Sequence, residues 1–318
     1  MPCFASSRRP SRDDDSMNKV QLRLPATSAN LGPGFDAMAL ALELFLEIEA
    51  VPADRFSIVA TGRNPNVCGG LNRNLLIQTY EFVLAAEQRP LVPLELRMAN
   101  GIPVGMGCGS SAAVRLAGVA LASAFGGLDW DAAKIVEQAV RLEGHPDNVA
   151  ACWHGGLTIA AGGEQLAIVS IPPPPDWRAF LVLPETPVAT AKARAMLPDT
   201  YDRHDVVMNV QCVGLLTAAF ALGRPDLMQL ATRDRLHQPY RAQLCPLLPA
   251  LLPLAGSHGV MSVTLSGAGP AVMLLTQGNG AQVEPLKEAI LELARPVCPV
   301  EILPAGLCAE GTAMSLDE

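Results

Sequence analysis

A glycine-studded turn between an alternating apolar run and a run of small residues restricts the folding of this chain more than any other feature. Pro103-Val104-Gly105-Met106-Gly107-Cys108-Gly109-Ser110-Ser111-Ala112-Ala113 follows a strand-like segment, Leu94 to Met98, and opens a helix-like one, Ala112 to Phe125. Glycine at alternate positions lets the backbone turn its N–H groups to one side without obstruction by side chains. The helix that follows points its partial positive end at the same place. The product is a cradle for an anion, and a nucleotide phosphate suits it. No Lys follows Gly109, which sets aside a Walker A loop, and Gly-x-Gly-x-Gly-Ser-Ser is not the dinucleotide fingerprint Gly-x-Gly-x-x-Gly. A tight strand-to-helix turn could use the same glycines, so other segments must carry the function.

The chain has 318 residues, enough for one large or two ordinary domains with sizeable cores. Half of it is hydrophobic and 17% is charged, as in a globular protein, and no uninterrupted apolar run reaches the length of a membrane span. The net charge of -8 argues against nucleic-acid binding through a basic surface. Arg8, Arg9 and Arg12 cluster, but Asp13, Asp14 and Asp15 follow at once. None of the eight cysteines forms a Cys-x-x-Cys pair or stands at zinc-finger spacing from a histidine, so a reducing cytoplasm fits best. Residues 1–16 are polar and have no hydrophobic core of a signal peptide. They read as a disordered leader or as the result of an upstream start.

Periodicity gives a mixed order of elements. Strands are expected at Gln21 to Leu24, Leu40 to Val51, Phe56 to Thr61 and Leu94 to Ala99, with the first running into a polar turn at 25–30. Helices are expected at Asn74 to Glu87, at Asp131 to Leu142 with Asp129 as cap, and at Asp147 to Trp153. Gly155 and Gly156 then lead to a strand at Leu157 to Ala161. Pro172 to Pro175 reads as an extended link, and the domain boundary is placed there, dividing 17–171 from 172–318. Beyond it, helices are expected near 188–196, 203–222, 244–256 and 281–294, and strands at 177–183, 259–265, 271–276 and 297–303. Strands and helices without strict alternation favour α+β over a doubly wound sheet.

Further segments stand in a fixed order around the loop. Pro25-Ala26-Thr27-Ser28-Ala29-Asn30-Leu31-Gly32-Pro33-Gly34-Phe35-Asp36 precedes it. Glu143-Gly144-His145-Pro146-Asp147-Asn148-Val149-Ala150, Thr190-Ala191-Lys192-Ala193-Arg194 with Leu197-Pro198, Asp234-Arg235-Leu236-His237-Gln238-Pro239-Tyr240-Arg241 and Ser266-Gly267-Ala268-Gly269-Pro270-Ala271 come after. Together they resemble the GHMP kinase superfamily (galacto-, homoserine, mevalonate and phosphomevalonate kinases). The first motif is similar to that of the homoserine kinases within it, and the resemblance runs from about residue 18 to 305. This chain departs from the pattern at Cys108, where Leu is usual, and at Met106. It also departs at Arg115, inside a normally apolar helix start, and at Gln238, where Glu is common. None of these removes a backbone donor.

The resemblance implies an α+β GHMP kinase fold, with an N-terminal ribosomal-protein-S5-like half and a C-terminal ferredoxin-like half sharing a cleft. It implies a cytoplasmic, commonly homodimeric kinase with ATP and Mg²⁺, acting on L-homoserine to give O-phosphohomoserine on the way to threonine, with no nucleic acid or membrane as partner. Residues 103–113 would hold the phosphates. Ser111, or else Ser110, and Glu143 would hold Mg²⁺, which needs few protein oxygens because it keeps several waters. An amino-acid substrate needs a carboxylate clamp, for which Arg194 and Arg241 are suited. Asp36 would accept from its ammonium, Asn30 would lie near its hydroxyl, and His145 would orient it. Two readings stand for Asp147, a general base or a helix cap. If it is a cap, Asn148 polarises the hydroxyl. The alternatives in function are a GHMP-family kinase for another small alcohol and a ligand-binding protein without catalysis.

Overall fold

Lys19–Asn30 (β1) and Gly34–Pro52 (β2) pair antiparallel over most of their length, from Val20 opposite Ala50 to Asn30 opposite Gly34. Register shifts after Pro25 and after Ala29 bend this ribbon. The segment 25–30, expected as a turn, therefore stays in β1. Its residues are buried between neighbours, and only Leu31–Pro33 turns. The computed structural model describes residues 19–162, 165–278 and 283–317, so the leader at 1–16 lies outside the described residues.

Four more strands extend the first sheet: Ser57–Gly62 (β3), Leu94–Asn100 (β4), Leu157–Ala161 (β5) and Ala167–Ile171 (β6). β4 lies between β2 and β3, and β5 pairs with another stretch of β2 and with β6. Every pairing is antiparallel except β3 with β4. After the short helix Pro65–Cys68 (α1), Leu75–Ala86 (α2) begins at Asn74, whose side chain accepts from the N–H groups of Leu76 and Ile77. Ser110–Phe125 (α3) packs beside α2 and across β1, and its small residues allow close approach. Ala132–Glu143 (α4) is capped by Asp131, which accepts from Lys134 N–H at 2.8 Å. Asp129, the expected cap, instead takes φ 51° in the preceding turn. Asp147–His154 (α5) lies against β1 and β2.

Trp177–Pro184 (β7), Val260–Leu265 (β8), Val272–Gln277 (β9) and Val300–Gly306 (β10) form the second sheet in the order β10-β7-β9-β8, all antiparallel. Between β7 and β8 run Thr190–Arg194 (α6), Arg203–Leu222 (α7), Met228–Ala231 (α8), Gln238–Arg241 (α9) and Leu247–Leu251 (α10). Val283–Ala294 (α11) joins β9 to β10. That is a ferredoxin-like arrangement. The period of two along β7 sends Trp177, Ala179, Leu181 and Leu183 into the core shared with the first sheet, and Phe180 and Val182 into a second core with α10 and α11. The helix expected over 244–256 is cut short because Pro246, Pro249 and Pro253 withhold N–H donors. α7 is long and apolar enough to cross a membrane by composition, with mean hydropathy 1.6. In the fold its Leu216, Ala219 and Phe220 are buried, and Phe220 meets Trp177 edge-on at 4.9 Å.

Ala313–Asp317 (β11) returns to the first sheet and pairs with β1, from Arg23 opposite Ala313 to Lys19 opposite Asp317. A division at 172 places these residues with the second half, whereas their hydrogen bonds lie in the first.

Candidate active site

The glycine loop sits where β1, α5 and the turn between β8 and β9 converge. Three successive carbonyls of the loop are tied to the neighbouring segments. Cys108 O accepts from Thr27 N–H at 3.1 Å, Met106 O from Ala271 N–H at 3.2 Å, and Gly107 O from the Ser266 hydroxyl at 2.8 Å. Among the described residues, no hydrogen bond uses the N–H groups of residues 105–112. A row of donors is thus left without partners at the start of a 16-residue helix, and an anion is what satisfies it. Gly107 and Gly109 have φ of 82° and 70°. A Cβ on Gly107 would run into the carbonyls of Ser266 and Gly269, and one on Gly109 into the Thr27 hydroxyl. Cys108 fills an apolar slot, and burial pushes its thiol up to about 12, so it remains an uncharged plug.

Ser111 and Glu143 meet at the mouth of the loop, where the Ser111 hydroxyl donates to Glu143 Oε1 at 2.5 Å. Arg115 Nε donates to Glu143 Oε2 at 2.7 Å, which gives the unusual arginine in the first turns of α3 a partner. A hydroxyl and a carboxylate oxygen beside unpaired amides are the hard donors that Mg²⁺ takes, so the residues present fit that ion. Ser110 also lines the cleft.

Behind them lies a polar corner made by α5. Asp147 is buried, and its Oδ1 accepts from His145 Nδ1 at 2.6 Å and from Asn148 backbone N–H at 2.7 Å. The second of these is an amide at the helix start, but Asp147 is the first residue of α5 and the N-cap is Pro146, without a side-chain cap bond, so Asp147 is not the helix cap. The hydrogen bond to Asp147 raises the pKa of His145 against the opposing effect of burial. Asn148 Oδ1 accepts from the Thr27 hydroxyl at 2.6 Å, which aims its amide nitrogen at Asp147 Oδ1 at 3.3 Å. Ligating atoms of Asp36, His145 and Asp147 all lie within 4.8 Å of one another.

Across from this corner stand the two arginines. Arg194, on α6, donates to both oxygens of Asp36 at 2.8 Å, so the expected carboxylate clamp and ammonium acceptor are paired with each other. That hydrogen-bonded pair raises the pKa of Arg194. Arg241 is only 2% exposed and makes no salt bridge among the described residues. Its donors reach Ala193 O, Gly267 O and His237 Nδ1. Burial lowers its pKa, with Arg194 adding to the effect. Asn30 donates to Gly267 O at 2.9 Å and accepts from Asp36 N–H at 3.1 Å, so it ties the first motif to the last.

One cleft of about 160 Å³ is lined by Asn30, Asp36, Gly105, Gly107, Cys108, Gly109, Ser110, Ser111, Glu143, His145, Asp147, Asn148, Arg194 and Arg241. The loop residues Pro103, Val104, Met106, Ala112 and Ala113 do not line it. Thr27, Thr190, Gly267 and His237 are the contributors to which the motifs gave no role. Each sits inside a quoted segment; Thr190 lines the cleft, and Thr27, Gly267 and His237 have partners remote in sequence, so no local pattern marks them.

A lysine-free amide cradle joined to a ferredoxin-like sheet defines a GHMP kinase. Family models agree: residues 74–156 match the GHMP kinases N terminal domain and residues 217–292 the GHMP kinases C terminal. The homoserine kinase of Solibacter usitatus is 41% identical over 274 residues, covering 86% of this chain and 90% of that protein. That of Moorella thermoacetica is 38% identical over 283 residues, covering 89% and 96%. The chain belongs to the homoserine kinase family. Among solved structures, the homoserine kinase from Cytophaga hutchinsonii superposes with TM-score 0.78 at 23% identity, covering 98% of this chain and all of that one, which is a likeness of fold.

Proposed function

We propose that the protein transfers the γ-phosphoryl group of ATP to the side-chain hydroxyl of L-homoserine. The observation that carries this reading is Arg241, a buried cation that makes no salt bridge among the described residues, opening on the same cleft as the unpaired loop amides. A buried charge without a counterion is costly, and an anionic ligand relieves it. A free amino acid brings both a carboxylate and an ammonium group. Its carboxylate meets Arg241 and Arg194, and its ammonium meets Asp36, so the internal Arg194–Asp36 pair exchanges partners with the zwitterion rather than losing them.

Phosphoryl transfer is chiefly a matter of alignment and charge neutralisation. The amides of 105–112 hold the phosphates, and Ser111 and Glu143 hold Mg²⁺, which neutralises charge on the phosphates when bound. Arg115 keeps one Glu143 oxygen engaged and leaves the other toward Ser111. The Thr27 bond fixes Asn148 with its amide N–H groups toward the polar corner, so Asn148 donates to the substrate hydroxyl oxygen and orients it. Asp147, with Oδ2 outside the bonds described, stands as the acceptor for the hydroxyl proton.

A coupled assay of ADP release with Mg·ATP tests this across homoserine, mevalonate, galactose and no acceptor. Turnover with homoserine alone is expected. Equal or greater turnover with mevalonate, or ADP release indifferent to acceptor, would overturn the assignment.

A further inference from the structure

His237 has no role in phosphate or metal binding, yet its surroundings are specified on every side. The ring is fully buried and stacks on Phe35 at 5.4 Å with an interplanar angle of 26°. Nδ1 lies 3.2 Å from Arg241 Nη1, and Nε2 lies 2.8 Å from Gly32 O. A guanidinium has donors only and a carbonyl oxygen accepts only. Nδ1 must therefore offer its lone pair to Arg241, and Nε2 must carry the proton that is donated to Gly32. Asp234 Oδ2, at 3.5 Å from Nε2, favours the same tautomer.

We propose that His237 is a positioning residue for the substrate carboxylate: its neutral, Nε2-protonated ring holds the Arg241 guanidinium at the floor of the cleft. Besides His237, Arg241 has only the carbonyls of Ala193 and Gly267 as hydrogen-bond partners among the described residues, and Ala193 is the weaker at 3.4 Å. The imidazole is thus the one side chain that fixes the direction of the fork. It also couples that fork to the first motif, because Gly32 lies in the turn between β1 and β2 and Phe35 stands next to Asp36 at the start of β2. Phe35 in turn lies under both guanidinium groups, 5.2 Å from Arg241 and 5.5 Å from Arg194. Asp234 anchors the ring's own segment by accepting from the N–H groups of Leu236, His237 and Gln238. The charged groups around the ring are Asp234 and Arg241 from its own segment and Asp36 from β2; burial, the largest influence, keeps it neutral.

The proposal rests on the reading that Arg241 receives the carboxylate of homoserine, and the test separates the two. His237→Asn keeps an acceptor at the Nδ1 position, whereas His237→Gln keeps a donor toward Gly32 and leaves Arg241 without its acceptor. His237→Gln is expected to raise KM for homoserine about tenfold or more, with kcat and KM for ATP within about threefold of wild type. His237→Asn is expected to stay within about threefold in all of them. Wild-type KM for homoserine in His237→Gln, or an equal rise in both variants, overturns the proposal. Nitrogen-15 NMR of the wild-type enzyme, which needs no variant to fold, must show Nε2 protonated and Nδ1 bare near neutral pH. The opposite tautomer or an imidazolium also overturns it. Arg241→Ala is run alongside. If it leaves KM for homoserine unchanged while the NMR shows the expected tautomer, the carboxylate clamp itself is wrong. If it raises KM while His237→Gln does not, only the positioning role is wrong.

Discussion

Glu143 closes a helix with a negative charge at its C-terminal end, where the helix dipole disfavours one. Two donors, Ser111 and Arg115, offset that cost, and they also fix both carboxylate oxygens in the cleft wall. The charge and not the shape is what a divalent cation uses. Glu143→Gln keeps an acceptor for one donor and a near-identical volume, so the fold should survive while the metal site loses its formal charge. Turnover at saturating ATP and homoserine is expected to fall by about a hundredfold or more, with little change in calorimetric homoserine affinity. A variant with wild-type turnover would show that the carboxylate does not serve the metal.

The loop is the element whose sequence and shape correspond most directly. Its glycines, the helix it opens and the Asn74 cap of α2 could be read locally, because each depends on neighbours within a few residues. The convergence of the motifs on one cleft followed only from their order and resemblance, and its details were not legible. Nothing near Arg194 in sequence announces that Asp36 is its partner, 158 positions away. Nor does the spacing around Asp129 and Asp131 decide which carboxylate reaches the helix amides; the backbone conformation of the turn does. The short helices α8 and α9 lack enough turns for a period to emerge. Gly107 is the position where the shape of the loop can be measured. Alanine there meets a left-handed φ and the carbonyls of Ser266 and Gly269 together, so Gly107→Ala should cost about 1–3 kcal/mol of stability. Calorimetry should find Mg·ATP binding weakened at least about tenfold, since the amide row is displaced. Unaltered ATP affinity would mean that the cradle tolerates the shift and does not hold the phosphates.

At the scale of the whole molecule, the two sheets share a continuous core, and the last strand of the chain covers the edge of the first. β1 carries Thr27 and Asn30 to the cleft, so its placement sets the relation between the phosphate loop and the substrate corner. Among the described residues, β11 pairs with β1 at residues 19–23, at the end remote from those site residues. Removing residues 313–318 therefore strips the backbone partners from one edge of β1 without touching the cleft. An unpaired edge strand costs stability and invites association with other chains. The truncated protein is expected to melt several degrees lower and to form larger species in size-exclusion chromatography. At a temperature where it is fully folded, KM for ATP and for homoserine should be within about twofold of wild type. A truncation that leaves the melting temperature alone would show that β11 adds nothing to the sheet. One that keeps the melting temperature but raises both KM values would mean that this edge of β1 sets the cleft geometry.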